Sequence, residues 1–236
     1  MATRDPHHMH RSVAGGLPRA AVFGVNDGLV SNVSLILGFA GGGAGSAVVR
    51  LAGIAGAVAG AISMAAGEWV SISAQNDLIR RELEVERREL ERHPMAETAE
   101  LAGMYESHGM APEQARQAAA DVMRQPDEAL IVHAREELGI DPKELASPVK
   151  TAVLSFLCFT LGALAPVLPW LGSATGTAPT LVSIGIAVII AGVVGALIAG
   201  FAERPMVTSI ARQILIVLGA CGVTYAIGQL VGINVS

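Results

Sequence analysis

The sequence predicts an all-α, polytopic membrane protein with five transmembrane helices and a cytoplasmic helical domain inserted between the second and third. Three observations predict it. Of the 236 residues 52% are hydrophobic and only 16% charged, and the mean hydropathy is +0.51, too apolar for an ordinary soluble domain. Five stretches, approximately 20–41, 47–72, 149–171, 178–201 and 207–231, are long enough to cross about 30 Å of hydrocarbon, which takes roughly 20 residues of helix. Finally, of 21 acidic residues, 17 fall between Asp77 and Glu144 and only Asp5, Asp27, Glu68 and Glu203 lie elsewhere. Four segments follow: an N-terminal cytoplasmic tail (1–19), spans one and two (20–72), an acidic helical domain (73–148), and spans three to five (149–236).

Arg4, Arg11 and Arg19 precede the first span. His7, His8 and His10 could capture metal, but the reading preferred for them is a disordered N-terminal tail. Span one is interrupted by Asn26, Asp27 and Asn32, so it is not read as a cleaved signal peptide. Lys and Arg counts orient the chain: Arg4, Arg11, Arg19, Arg204 and Arg212 against Arg50 alone put the N-terminus and the acidic domain in the cytoplasm and the C-terminus outside. The lack of a targeting extension points to a bacterial inner membrane. Cys158 and Cys221 both sit in apolar stretches, so neither a disulfide framework nor a metal knuckle is expected. A formal charge of −5 leaves no basic footprint for nucleic acid.

Charged groups in a bilayer need a reason, because an acidic residue at mid-membrane costs about 2.5–3.5 kcal/mol on insertion scales. Asp27 stands with Asn26, Ser31, Asn32 and Ser34, a polar stripe on span one. Ser63, Met64, Glu68 and Ser71 recur every three or four residues on span two and share a face. Two such stripes on consecutive helices suggest a lined ion path. The alternatives are a local bond for Asp27, core filling for Met64, and an interfacial side chain reaching water for Glu68. Gly56 and Gly60 form a small-residue motif for close helix packing, with the partner helix undetermined.

The acidic segment reads as helical throughout, with breaks at Pro94, Gly109 to Pro112, Pro126 and Gly139 to Pro142. Span two should continue as helix to about His93, followed by helices near 95–107, 112–124 and 127–138. Glu82, Glu86, Glu89 and His93 share one helix face; Glu97 and Glu100 stand three apart, and His133 and Glu137 four apart. Like charges along one face repel, and a divalent cation reverses the sign. Oxygen donors select hard or borderline ions, and an imidazole or thioether tilts the choice toward transition metals. Against this stands a solvated face laced with ion pairs, with Arg80, Arg81, Arg87, Arg88 and Arg92 available to Glu84 and Glu91. Glu106, Glu113, Asp121, Asp127 and Glu128 are assigned to solvent.

Gly24-Val25-Asn26-Asp27-Gly28-Leu29-Val30-Ser31-Asn32 and Ser63-Met64-Ala65-Ala66-Gly67-Glu68-Trp69-Val70-Ser71 resemble the motifs of the vacuolar iron transporter family. The Glu-rich segment, Glu136 to Pro142, and Gly222 to Gly228 extend the resemblance over nearly the whole chain after about residue 17. It implies a five-span homodimer exporting cytosolic Fe²⁺, often also Mn²⁺, in exchange for protons. By motif position Asp27 and Met64 match pore metal-site residues, and Glu86, Glu89, Glu97, Glu100 and Glu137 match carboxylate ligands of the inserted domain. The family commonly carries a methionine pair shortly before the last glutamate, where this chain has His133 and Ala134. His133 then stands in as a nitrogen ligand.

The expected function is metal export, the ion passing between the two polar stripes and protonation of Asp27 or Glu68 releasing it. No prosthetic group is expected; the partners are divalent metal ions, protons, lipid and a second copy of the chain. The rival is a non-transporting membrane metal sensor or docking protein. Catalysis is not expected, since HExxH, GxSxG and phosphate-loop motifs are missing from the sequence.

Overall fold

The structure, a computed structural model, describes residues 16–143, 145–172 and 177–232. Among them are eight α-helices and no strand: α1 Gly16–Gly41, α2 Ser46–Arg92, α3 Pro94–Ser107, α4 Pro112–Val122, α5 Pro126–Glu136, α6 Pro148–Leu164, α7 Ala178–Ala202 and α8 Met206–Val231. Five of them, α1, the 47-residue α2, α6 with its extension, α7 and α8, are long and apolar enough to cross a membrane. The chain is an all-α polytopic membrane protein. It divides into two compact units, one of Met1–Trp69 with Pro148–Ser236 and one of Val70–Ser147, and α2 contributes to both. His7, His8 and His10 lie outside the described residues, as does Glu144.

In the membrane unit α1 is the central helix. Leu29, Val33 and Leu37 pack with Ala187 and Ala191 of α7 and with Val217 and Cys221 of α8. Ile36, on another side, meets Val49 of α2 and Val167 and Trp170. Large apolar side chains such as Leu51, Leu161, Ile189, Leu215 and Leu230 point outward, as suits a lipid solvent that is as apolar as they are.

With no hydrophobic drive between helices in lipid, close backbone approach holds them together. Gly28 leaves room for the backbone of α6: a Cβ there would overlap Phe159 O and stand 3.1 Å from Ala163 N. Gly162 does the same for α1, where a Cβ would overlap Val25 O. Gly24 completes the interface against Ser155 and Cys158. The spacing of Gly24 and Gly28 is the same small-residue pattern read at Gly56 and Gly60, but here Gly28 meets the backbone of the neighbouring helix rather than side chains. Gly56 faces Leu35 and Asn32, and Gly60 faces the Phe159 ring; the partners of that pair, open from sequence, therefore belong to the same chain.

Asn32 joins three helices. Its side-chain amide donates to Gly53 O of α2 at 3.0 Å and to Ala163 O of α6 at 2.6 Å, and the residue is 2% exposed. Span three departs from the expected continuous helix of 149–171. The α-helix stops at Leu164, and Ala165–Trp170 follow as a 3-10 turn, because Pro166 and Pro169 cannot donate to the α-helical ladder. Trp170 Nε1 donates to Ser183 Oγ at 3.0 Å and Ser183 Oγ donates to Pro166 O at 2.7 Å, which pins this turn to α7.

In the second unit, α3, α4 and α5 each begin with proline at the first turn: Pro94, Pro112 and Pro126. Its fixed φ suits that turn, and the N–H it lacks is one a helix start leaves unused. Gly109 (φ 94°) and Gly139 (φ 65°) supply left-handed positions after α3 and α5, which let Met110 N–H reach Tyr105 O and Ile140 N–H reach Ala134 O. Leu101, Ala102 and Ala119 form the core, flanked by Tyr105, Val122 and Val132.

Candidate metal centre

Three helices of the second unit turn acidic or imidazole side chains toward one another. Glu86 comes from α2, Glu97 from the first turn of α3, and His133 and Glu137 from the end of α5. The donor atoms of Glu86, His133 and Glu137 all lie within 4.8 Å of one another, the one group of three or more His, Cys, Asp or Glu at metal-binding separation among the described residues. His133 is fully buried and Glu86 nearly so, at 7% exposed. Glu97 is buried as well, with Oε2 3.8 Å from His133 Nδ1. Glu137 is exposed.

The electrostatics are those of mutually repelling, partly buried carboxyls. Burial, the charges of Glu137, Glu97 and Glu100 and a hydrogen bond with Glu137 push the Glu86 carboxyl up to about 7. Glu97 is likewise raised, by burial first and then by Glu100, Glu137 and Glu89. Burial lowers the His133 imidazole, against the opposing pull of Glu137 and Glu100. Glu86 Oε1 and both ring nitrogens of His133 are buried without a hydrogen-bond partner, although Glu86 Oε1 and His133 Nδ1 are only 3.1 Å apart. Two donors about 2.1 Å from one ion at angles of about 90–110° stand roughly 3.0–3.4 Å apart. Unsatisfied buried donors at that separation fit a divalent cation.

The neighbouring acids divide by location. Glu89 and Glu100 face the cluster from α2 and α3, and Glu89 Oε2 is 3.9 Å from His93 Nε2. Asp141 is committed elsewhere: Arg135 and the Lys143 N–H bind its carboxylate and hold it below the usual range. Glu106, Glu113, Asp121, Asp127 and Glu128 are exposed. The arginine pairing expected on α2 takes a different form, for Arg80 lies 3.8 Å from Asp77, and Arg88 donates to the backbone carbonyl of Glu84 rather than to its carboxylate.

Asp27, Met64 and Glu68, singled out from sequence, belong to the other unit, and neither carboxylate joins a group of three or more His, Cys, Asp or Glu at metal-binding separation among the described residues. Asp27 is half-buried, and Ser31 Oγ donates to its backbone carbonyl at 2.6 Å. Phe23, Ser31 and Leu35, at helical spacing around Asp27, are exposed. Met64 packs against Ala57, Ala61, Phe159 and Ala163, and Glu68 is half-buried. Asn32, named from sequence only as part of a polar stripe, is the side chain that ties α1 to α2. Nothing in its local pattern separates that role from pore lining. The tight Gly24, Gly28 and Gly162 interface was missed too, though the four-residue spacing on α1 carries its signal.

Residues 18–229 match the family model described as the VIT family. A protein named vacuolar iron transporter 1 from Oryza sativa subsp. japonica is 29% identical over 191 residues, covering 80% of this chain and 76% of its own length. One named vacuolar iron transporter from Acanthamoeba castellanii is 35% identical over 202 residues, covering 81% and 71%. Arabidopsis thaliana vacuolar iron transporter homolog 4 is 32% identical over 221 residues, covering 91% and 83%. With the match running from the first span to the last, the chain belongs to the VIT family.

Proposed function

We propose that the protein exports a divalent metal ion, Fe²⁺ or Mn²⁺ or both, from the cytosol in exchange for protons. The observation that carries this reading is the buried Glu86–His133–Glu137 cluster with its unpartnered donor atoms, in a chain whose relatives bear the name iron transporter. Glu89, Glu97 and Glu100 concentrate cations around the cluster. Its low dielectric strengthens attraction to a divalent ion and equally the repulsion among the carboxylates themselves.

Within the membrane unit, Asp27 provides the charge and Met64 and Glu68 the further donors of the route. Ligation requires the deprotonated form, so a proton arriving at Asp27 or Glu68 releases the ion and couples the two flows. The face of α1 with Phe23, Asp27, Ser31 and Leu35 supports a homodimer. Left against lipid, a carboxylate costs about 2.5–3.5 kcal/mol, and a second copy would cover it with the same polar set. Orientation follows from the arginines: N-terminus and acidic domain cytoplasmic, C-terminus outside.

Proteoliposomes with an imposed pH gradient test this, with anaerobic Fe²⁺ and with Mn²⁺. Metal flux accompanied by opposing proton flux is expected, with loss of both in Asp27→Ala. Undiminished exchange in that variant rejects the route. Mn²⁺ binding without any flux in the unaltered protein favours a metal sensor instead.

A further inference from the structure

We propose that His133 sets the ion preference of the metal centre, making it favour Fe²⁺ and the later divalent transition ions over Mn²⁺, Mg²⁺ and Ca²⁺. The inference rests on the reading of the cluster as the seat that loads cargo, and it narrows the class of ion. Among the described His, Cys, Asp and Glu side chains, the other donors there are carboxylates: Glu86, Glu97 and Glu137, with Glu89 and Glu100 facing them. Charge attracts all divalent cations, and an oxygen-only seat of this kind suits Mg²⁺, Ca²⁺ and Mn²⁺. Discrimination has to come from the one donor that is not oxygen. Imidazole nitrogen binds along the series Mn²⁺, Fe²⁺, Co²⁺, Ni²⁺ with rising affinity and adds little for Mg²⁺ or Ca²⁺.

The placement of the ring supports a ligand over a packed core histidine. His133 is 0% exposed, and neither ring nitrogen has a hydrogen-bond partner. A buried imidazole that served packing alone would satisfy at least its N–H, because an unmade buried hydrogen bond is costly. Here Nδ1 lies 3.1 Å from Glu86 Oε1 and 3.8 Å from Glu97 Oε2. The closer pair is not aligned as a hydrogen bond, since Glu86 Oε1 is itself without a partner. An ion shared between nitrogen and carboxylate satisfies both atoms at once. Small neighbours, Ala129 and Ala134, are buried on the same helix, so the ring sits in the interior of the unit with Nδ1 beside the carboxylates of Glu86 and Glu97.

The test uses the full chain in detergent, with anaerobic Fe²⁺, Mn²⁺ and Mg²⁺ as probes and Glu86→Gln to mark binding at this cluster. The unaltered protein is expected to prefer Fe²⁺ to Mn²⁺ and to hold Fe²⁺ against excess Mg²⁺. In His133→Asp, Mn²⁺ binding persists while Fe²⁺ affinity falls by at least the roughly tenfold that even outer-shell changes cost, so the preference collapses. Pulsed EPR of the Mn²⁺-loaded protein should show coupling to one ¹⁴N nucleus that His133→Asp removes. An unchanged Fe²⁺-to-Mn²⁺ ratio in the variant, or no ¹⁴N coupling in the unaltered protein, overturns the inference. The second readout needs no variant and decides the matter if His133→Asp fails to fold. Binding that Glu86→Gln leaves unaltered would instead sink the loading role of the cluster, whereas a nitrogen-free centre that still binds and moves metal sinks only the role of His133.

Discussion

At the scale of single residues, a buried side-chain amide and a buried carboxyl–imidazole pair behave differently. Asn32 is a satisfied donor: both amide hydrogens reach carbonyls on other helices. Interhelical hydrogen bonds in membranes average about 0.6 kcal/mol and reach about 1.7, so Asn32→Leu is predicted to lose about 1–3 kcal/mol, read as a lower melting temperature in detergent. Ser31→Ala, which removes only bonds within its own helix, to Asp27 O and Gly28 O, is predicted to melt like the parent. Glu86 and His133 are unsatisfied instead, and their titration follows. The Glu86 carboxyl rises from 4.5 to about 7 through burial and the facing carboxylates, so its contribution to stability is fully present below pH 4.5 and is lost as pH rises through about 7. His133, lowered by burial from 6.5, has the opposite sign: its contribution is present above pH 6.5 and is lost as pH falls. In metal-free protein, Glu86→Gln should therefore gain stability over the parent progressively between pH 4.5 and 7. Melting curves in chelator across that range check it, and a constant difference would contradict the raised carboxyl. Sequence alone could list Glu86, Glu89, Glu97, Glu100, His133 and Glu137 from periodicity and motif, but burial separates Glu86 and His133 from the exposed Glu137.

Among the elements, the contact between α1 and α6 depends on glycine more than on any apolar side chain. Gly28→Ala would drive a Cβ into the backbone of Phe159, and backbone cannot move aside as a rotamer does. Overpacking of this kind costs about 1–3 kcal/mol or more, so a marked fall in thermal stability is predicted. Gly67→Ala serves as the comparison: nothing lies within 4 Å of its added Cβ, and helix propensity favours alanine by about 0.8–1.0 kcal/mol. Its melting temperature should stay level or rise. Helix positions were legible from hydrophobic length and proline placement, down to Pro94, Pro112 and Pro126 opening α3, α4 and α5. The 3-10 end of span three was less so, because a run of apolar residues through Pro166 and Pro169 still reads as one span.

For the whole molecule, metal should stabilise what charge repulsion strains. A ligand at a hundredfold excess over its dissociation constant adds about 2.7 kcal/mol to the state that binds it. Fe²⁺ or Mn²⁺ is thus predicted to raise the melting temperature of the full chain, chelator to reverse the rise, and Glu86→Gln to abolish it; a metal-independent melting curve would count against the cluster as a binding site. The sequence by itself determined the five spans, the separate acidic helical unit, the family and the candidate ligands, because these depend on composition, local periodicity and motif. Only the tertiary structure decided which candidates lie together, that Arg135 holds Asp141, and that Asn32, Gly28 and Gly162 lock the central helix. Those outcomes depend on distances between residues far apart in the chain: Asn32 and Ala163 O are 131 positions apart and 2.6 Å from each other, and no local pattern encodes such a contact.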